Sequence, residues 1–102
     1  MSVFEVTADR ISYISDAISF TFDRNFKGTL QLGELPTHQL VEVINDHVLR
    51  FVVAERATYV VFSETVEIHQ IHCGVEVTEP FTLNTTNGPE AAAVLRSWYQ
   101  VK

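Results

Sequence analysis

Along much of the chain, apolar and polar residues alternate. Over Val3–Ala8, Phe4 and Val6 oppose Glu5 and Thr7. Over Ala17–Phe22, Ile18, Phe20 and Phe22 oppose Ala17, Ser19 and Thr21. This period of two belongs to a half-buried strand, and a one-residue slip would expose all three inward residues of the second segment. Further short strands are expected over Ile11–Ser15, Thr29–Leu32, Ala57–Phe62 and Thr65–His72. Turn-forming residues separate them: Asp9-Arg10, Ser15-Asp16, Asp23-Arg24-Asn25 with Lys27-Gly28, and Ser63-Glu64. Cys73-Gly74 suits a hairpin loop with Val75–Leu83 as its returning arm. Pro80 has no N–H for a central ladder, so that arm should lie at a sheet edge or bend.

One stretch departs from alternation. In Thr37–Arg56, THQLVEVINDHVLRFVVAER, residues Leu40, Val41, Ile44, Val48, Phe51 and Val52 recur at three- and four-residue spacing. That spacing predicts one broad apolar face of a helix, with Glu42, Asn45, Asp46 and Arg56 opposite. Pro36-Thr37 offers a start, since a Thr hydroxyl can satisfy an orphan N–H. Arg50 and Arg56 suit the negative end of the helix dipole. Leu49 and Val53 interrupt the scheme, because they fall on the polar face. Either they form a second apolar patch for a partner, or the helix stops near Asp46–His47 and VLRFVVA is a strand. Its Val content favours a strand, whereas Ala-Glu-Arg and the lack of Gly or Pro favour a continuing helix. A long central helix is the expectation adopted.

The loop-forming run Asn84–Pro89 leads into a second helix. Asn87 stands at the cap, Pro89 in the first turn and Glu90 three residues after the cap. Ala91, Val94, Leu95 and Trp98 share one face of this short helix over Glu90–Tyr99. The expected fold is therefore α+β: an antiparallel sheet of about six to seven short strands, with a long central and a short C-terminal helix packed on one face.

A chain of 102 residues with 46% apolar content forms one domain, 1–102, able to bury a core. Its net charge of −6 comes from 13 acidic and 7 basic residues. Without a Lys/Arg cluster it has no means of neutralising nucleic-acid phosphates or an anionic membrane surface. No apolar run approaches the ~20 residues of a membrane span, and the first residues do not read as a signal peptide. Cys73, the one cysteine, fits a reducing compartment. The cytoplasm of a cell or infected host is the expected location. The sequon Asn84-Thr85-Thr86 then reads as loop chemistry.

Candidate chemistry concentrates in His69-Gln70-Ile71-His72-Cys73. Zinc favours such ligands, and a metal site or small enzyme built on His69, His72 and Cys73, aided by His38 or His47, is one alternative. On a strand, however, His69 and Cys73 point opposite to His72. A Cys73–His69 nucleophile pair lacks a local cation, helix N-terminus or oxyanion hole. The carboxylate pairs Glu64 with Glu67 and Glu76 with Glu79 have no apolar frame to raise a pKa. No phosphate loop or nucleophile elbow occurs.

The leading expectation is thus a non-enzymatic, acidic protein-binding module without a cofactor. It would be an inhibitor, an immunity or anti-defence factor, or an accessory subunit, of the kind viruses and mobile elements encode. The proposed contact residues are Glu42, Asp46, Leu49 and Val53, with Phe26 as an outlying anchor. The partner would be another protein, with a homodimer through the same face as a variant. A third alternative is a small-ligand binder with an aromatic pocket between sheet and helix.

Overall fold

In a computed structural model of the chain, residues 2–77, 79–83 and 85–101 are described. The strands are β1 (Val3–Val6), β2 (Arg10–Ile14), β3 (Ile18–Asp23), β4 (Gly28–Leu32), β5 (His38–Asn45), β6 (Val48–Val53), β7 (Arg56–Phe62), β8 (Val66–His72), β9 (Val75–Glu76) and β10 (Phe81–Leu83). They are followed by one helix, α1 (Gly88–Val101). The strands join in a 10-stranded antiparallel sheet in which β1 to β8 lie side by side in chain order. Both β9 and β10 add to the outer edge of β8. Tight turns between strands leave only this neighbour-to-neighbour pairing.

The alternation sets the inner face. Ile11 and Tyr13, Ile18, Phe20 and Phe22, and Leu30 and Leu32 are buried on one side of β2–β4. Leu49 and Phe51, Val60 and Phe62, and Val66 and Ile68 continue the same face across β6–β8. The sheet curls around this face, and α1 lays Ala91, Leu95 and Trp98 into it. Burying each large side chain contributes about 1.5–3 kcal/mol. Edge-to-face rings bind the layers together, with Phe22 6.0 Å from Trp98 and Phe20 6.3 Å from Phe62.

The long central helix expected over Thr37–Arg56 does not form. The region is a β-hairpin, β5 and β6, so the fold is a curled sheet with one helix among the described residues, not an α+β layer of six to seven strands. The cause lies in β5. Leu40 pairs with Phe51 and Glu42 with Arg50; Val43 then pairs with Leu49 and Asn45 with Val48. The register shifts twice, and each shift inserts an extra residue, Val41 and then Ile44. These bulges stretch the period of two to a period of three, which resembles a helical face. In β6 the alternation is hidden because both faces are apolar. The strand reading of VLRFVVA is the one the fold adopts.

Turn chemistry places the other strands. The Asp23 carboxylate accepts the N–H groups of Asn25 at 2.9 Å and Lys27 at 3.2 Å. This holds Phe26 at a φ of 58° and turns its ring toward Trp98, 6.4 Å away. Gly28 pairs with Phe22 so closely that a Cβ there would lie 2.1 Å from the Thr21 carbonyl.

The returning arm breaks as Pro80 requires. Ile71 pairs with Glu76 and Ile68 with Phe81, so the ladder along β8 is interrupted between β9 and β10.

Helix α1 closes the open side of the curl. Asn87 is its cap residue, and its carbonyl accepts the Ala91 N–H at 2.9 Å. Its side chain does something else: Asn87 Nδ2 donates to the Phe4 carbonyl at 3.0 Å. Trp98 Nε1 donates to the Ala8 carbonyl at 2.9 Å. The free edge of β1, a template for unwanted pairing, is thus clipped to the helix.

Candidate functional site

Strand pairing fixes which side chains share the outer face of β5–β8. One row runs Gln39, Val52, Ala57, Ile71 and Glu76. The next runs Glu42, Arg50, Tyr59 and His69, and the third Asn45, Val48, Val61 and Glu67. Val52, Ala57 and Ile71 of the first row and Val48 and Val61 of the third thus lie on either side of Arg50, Tyr59 and His69. Val48, Val52, Tyr59, Val61 and Ile71 are half-buried. Beside them the bulge residues Val41 and Ile44 are 55% and 42% exposed. Within the middle row Arg50 holds Glu42 at 3.1 Å. His69 lies 3.3 Å from Glu67 and 4.0 Å from Glu76.

The five residues expected to bind a partner do not share one surface. Glu42 is outward, in the middle row. Leu49, its neighbour along the pairing ladder, faces the opposite way and is fully buried. The polar helix face that was to join them does not exist, and Leu49 belongs to the core. Val53 is half-buried at the end of β6. Asp46 lies in the β5–β6 turn, where a hydrogen bond with the His47 ring holds its carboxyl below the ordinary range, aided by Arg96 of α1. Arg96 reaches it at 3.3 Å. Phe26 packs toward Trp98. The outward apolar residues are their chain neighbours, Val48 and Val52. The signal for them was present in the sequence, since strands apolar on both faces read as continuous hydrophobic runs.

A second constellation lies at the tips of two adjacent hairpins. Ala54-Glu55 joins β6 to β7, and Cys73-Gly74 joins β8 to β9. The Cys73 N–H donates to the Glu55 carbonyl at 3.2 Å, fixing one tip against the other. The Cys73 thiol donates to Glu55 Oε2 at 3.3 Å. His72 Nε2 lies 3.9 Å from the same oxygen. One donor atom from each of Glu55, His72 and Cys73 falls within 4.8 Å of the others. Of the expected ligand set, His72 and Cys73 come together. His69 does not join them, because it sits on the outer face with Glu67 and Glu76. Neither His38 nor His47 belongs to the cluster. Glu55 is the member that linear spacing could not reveal.

His38 is fully buried at the seam between β4 and β5, where only Thr29–Gln39 and Leu30–His38 pair. Neither ring nitrogen makes a hydrogen bond of normal geometry. Burial holds its pKa below the ordinary value; the nearby Pro36 carbonyl opposes this and Arg56 adds to it.

The space between sheet and helix is largely packed core. A groove of about 420 Å³ there is walled by His47, Ser63, Glu64, Ala92 and Arg96, with Phe62 as its one aromatic lining residue. On the other half of the sheet, an open groove of about 510 Å³ crosses the outer face of β1–β4, lined by Ser12, Ser19, Thr21, Thr29 and Gln31. Asn84, the first residue of the sequon, lies outside the described residues. The chain matches no protein-family model, no curated protein and no solved structure.

Proposed function

We propose that the chain is a protein-binding module whose contact surface is the outer face of β5–β8, and that its partner is a different protein presenting an apolar, net basic surface. One observation carries this reading: outward positions that a water-facing sheet fills with polar residues are Val48, Val52, Tyr59, Val61 and Ile71. Antiparallel sheets open to solvent alternate apolar-in and polar-out. Apolar side chains gathered on an outer face, here on both sides of Arg50 and His69, suit an interaction surface. Val41 and Ile44 extend it to the edge of β5. Its acids are Glu67 and Glu76 beside His69, while Glu42 is paired with Arg50 and Asp46 with Arg96. With a net charge of −6, a second copy is repelled and a basic partner is drawn in.

Affinity capture with the whole chain tests the reading. Three proteins are compared: the native chain, Val52→Glu with Val61→Glu, and a control on the other half, Ser19→Glu with Thr21→Glu. Circular dichroism verifies that all three fold. A protein retained by the native chain and the control, lost with the β5–β8 variant and released by salt, supports the proposal. Equal retention by all three places the contact elsewhere. A native chain that light scattering shows to be a dimer, and the β5–β8 variant a monomer, makes the partner a second copy instead.

A further inference from the structure

We infer that Glu55, His72 and Cys73 form a zinc site at the paired hairpin tips, independent of the outer-face contact surface. The argument starts from ligand spacing. Zinc–ligand distances of about 2.0–2.3 Å place neighbouring ligand atoms of a tetrahedral site roughly 3.3–3.8 Å apart. Glu55 Oε2 stands 3.3 Å from Cys73 Sγ and 3.9 Å from His72 Nε2. Two edges of one triangular face of the tetrahedron are therefore close to zinc spacing, one donor atom from each of the three residues lies within 4.8 Å of the others, and rotation of the side chains closes the face.

The donor types agree with the geometry. Thiolate, imidazole and carboxylate together suit zinc rather than magnesium or calcium, which take oxygen donors. The backbone supplies the positioning. Two residues hold the cluster from opposite tips, and the Cys73 N–H to Glu55 carbonyl bond locks the tips together at 3.2 Å. The hydrogen bond from the Cys73 thiol to Glu55 marks the line along which the metal enters. On binding, the thiol gives its proton to water, the thiolate and carboxylate donate to the ion, and the neutral His72 ring donates through Nε2. The two anionic ligands balance the charge of Zn²⁺. Three protein ligands leave a fourth position open to water or to a donor from another molecule. The Glu55 side chain is 77% exposed, so that position faces solvent.

Titration of the untagged full chain with zinc, and with cobalt as a coloured substitute, tests the site. The expected result is one ion per chain, with cobalt producing the near-ultraviolet thiolate charge-transfer band and the visible bands of a tetrahedral ion. Cys73→Ser removes the thiolate band. His72→Gln and Glu55→Gln weaken binding by more than about tenfold, the least that even an outer-shell partner is worth. His69→Gln, a histidine outside the cluster, leaves affinity and spectrum unchanged. These residues are exposed or half-exposed, and circular dichroism verifies that the variants fold. Absence of binding up to millimolar zinc overturns the inference. So does binding without a thiolate band, or binding that His69→Gln weakens as much as His72→Gln.

Discussion

The two halves of the sheet share an inner face and differ on the outer one. In β2–β4 the outward residues include Ser12, Ser19, Thr21, Thr29 and Gln31, and in β6–β8 they are mostly Val48, Val52, Tyr59, Val61 and Ile71. Inside, the halves are alike: Phe20 and Phe22 on one, Phe51 and Phe62 on the other, all buried. The inner face carries the demand of folding, and both halves meet it with the same residue types. The outer face carries no such demand. Where it is serine and threonine, water is the intended neighbour; where it is valine, tyrosine and isoleucine, the surface is suited to something less polar.

The largest expected effect tests whether the inner faces form one unit. Phe22→Ala and Phe51→Ala should each destabilise the chain by about 3–5 kcal/mol in guanidinium unfolding. Their rings lie 6.5 Å apart, so the double variant should lose less than the sum. A cheap substitution in either half, or strict additivity, would break the picture of a shared core.

Next comes the seam. His38 is buried with no hydrogen bond of normal geometry to either ring nitrogen, and burial, opposed by the Pro36 carbonyl, holds its pKa below the ordinary 6.5. The unfolded chain therefore takes up the proton first as pH falls. The His38 contribution to stability is complete above pH 6.5 and declines as pH drops below it toward the folded-state value. Urea midpoints at pH 7.5 and 5.5 should differ in that direction for the native chain. His38→Leu should remove this part of the difference and stabilise the chain by about 1–3 kcal/mol, the cost of an unsatisfied buried polar group.

A smaller effect compares turns. Gly33 in one half and Ala54 in the other share a φ of 52°. A left-handed conformation costs a Cβ-bearing residue roughly 1–2 kcal/mol, partly offset by the greater unfolded-state freedom of glycine. Gly33→Ala should lower stability by about 1 kcal/mol, while Ala54→Gly should raise it by about 0.5 kcal/mol. Thermal melts of the pair would show opposite shifts.

The smallest effect on folding sharpens the comparison most. Val52→Thr with Val61→Thr makes the second outer face resemble the first. Stability should stay within about 0.5 kcal/mol, while retention of the partner falls. A large loss of stability would mean that these valines serve the fold and not a contact.

Much of this sheet was legible in the sequence. Ile18, Phe20 and Phe22 declared β3 because each inward residue sits two positions from the next. Asn87-Gly88-Pro89 announced the start of α1, and Pro80 the break in the last arm. The misreading of β5 has a definite physical origin: two bulges inserted Val41 and Ile44 and changed the period. A bulge is a property of pairing between strands, so no window on one strand contains it. The site followed the same rule. His72 and Cys73 were visible as neighbours, whereas Glu55 reaches them only because two hairpins lie side by side. The outward apolar positions of β6 differ by one from those a helix assigns: Leu49 is buried in the core, and Val48 and Val52 face outward.

The clip between α1 and β1 has a consequence in time. Every strand finds its neighbour within a few residues of chain, but the Phe4 and Ala8 carbonyls meet donors 83 and 90 residues later. Local hairpins form quickly, and closure across long sequence separation is slow. A ribosome adding about 5–20 residues per second takes on the order of 5 to 20 s to reach Trp98 after releasing Ala8. Throughout that interval the edge of β1 has no cover, and the inner face of the nascent sheet has no lid.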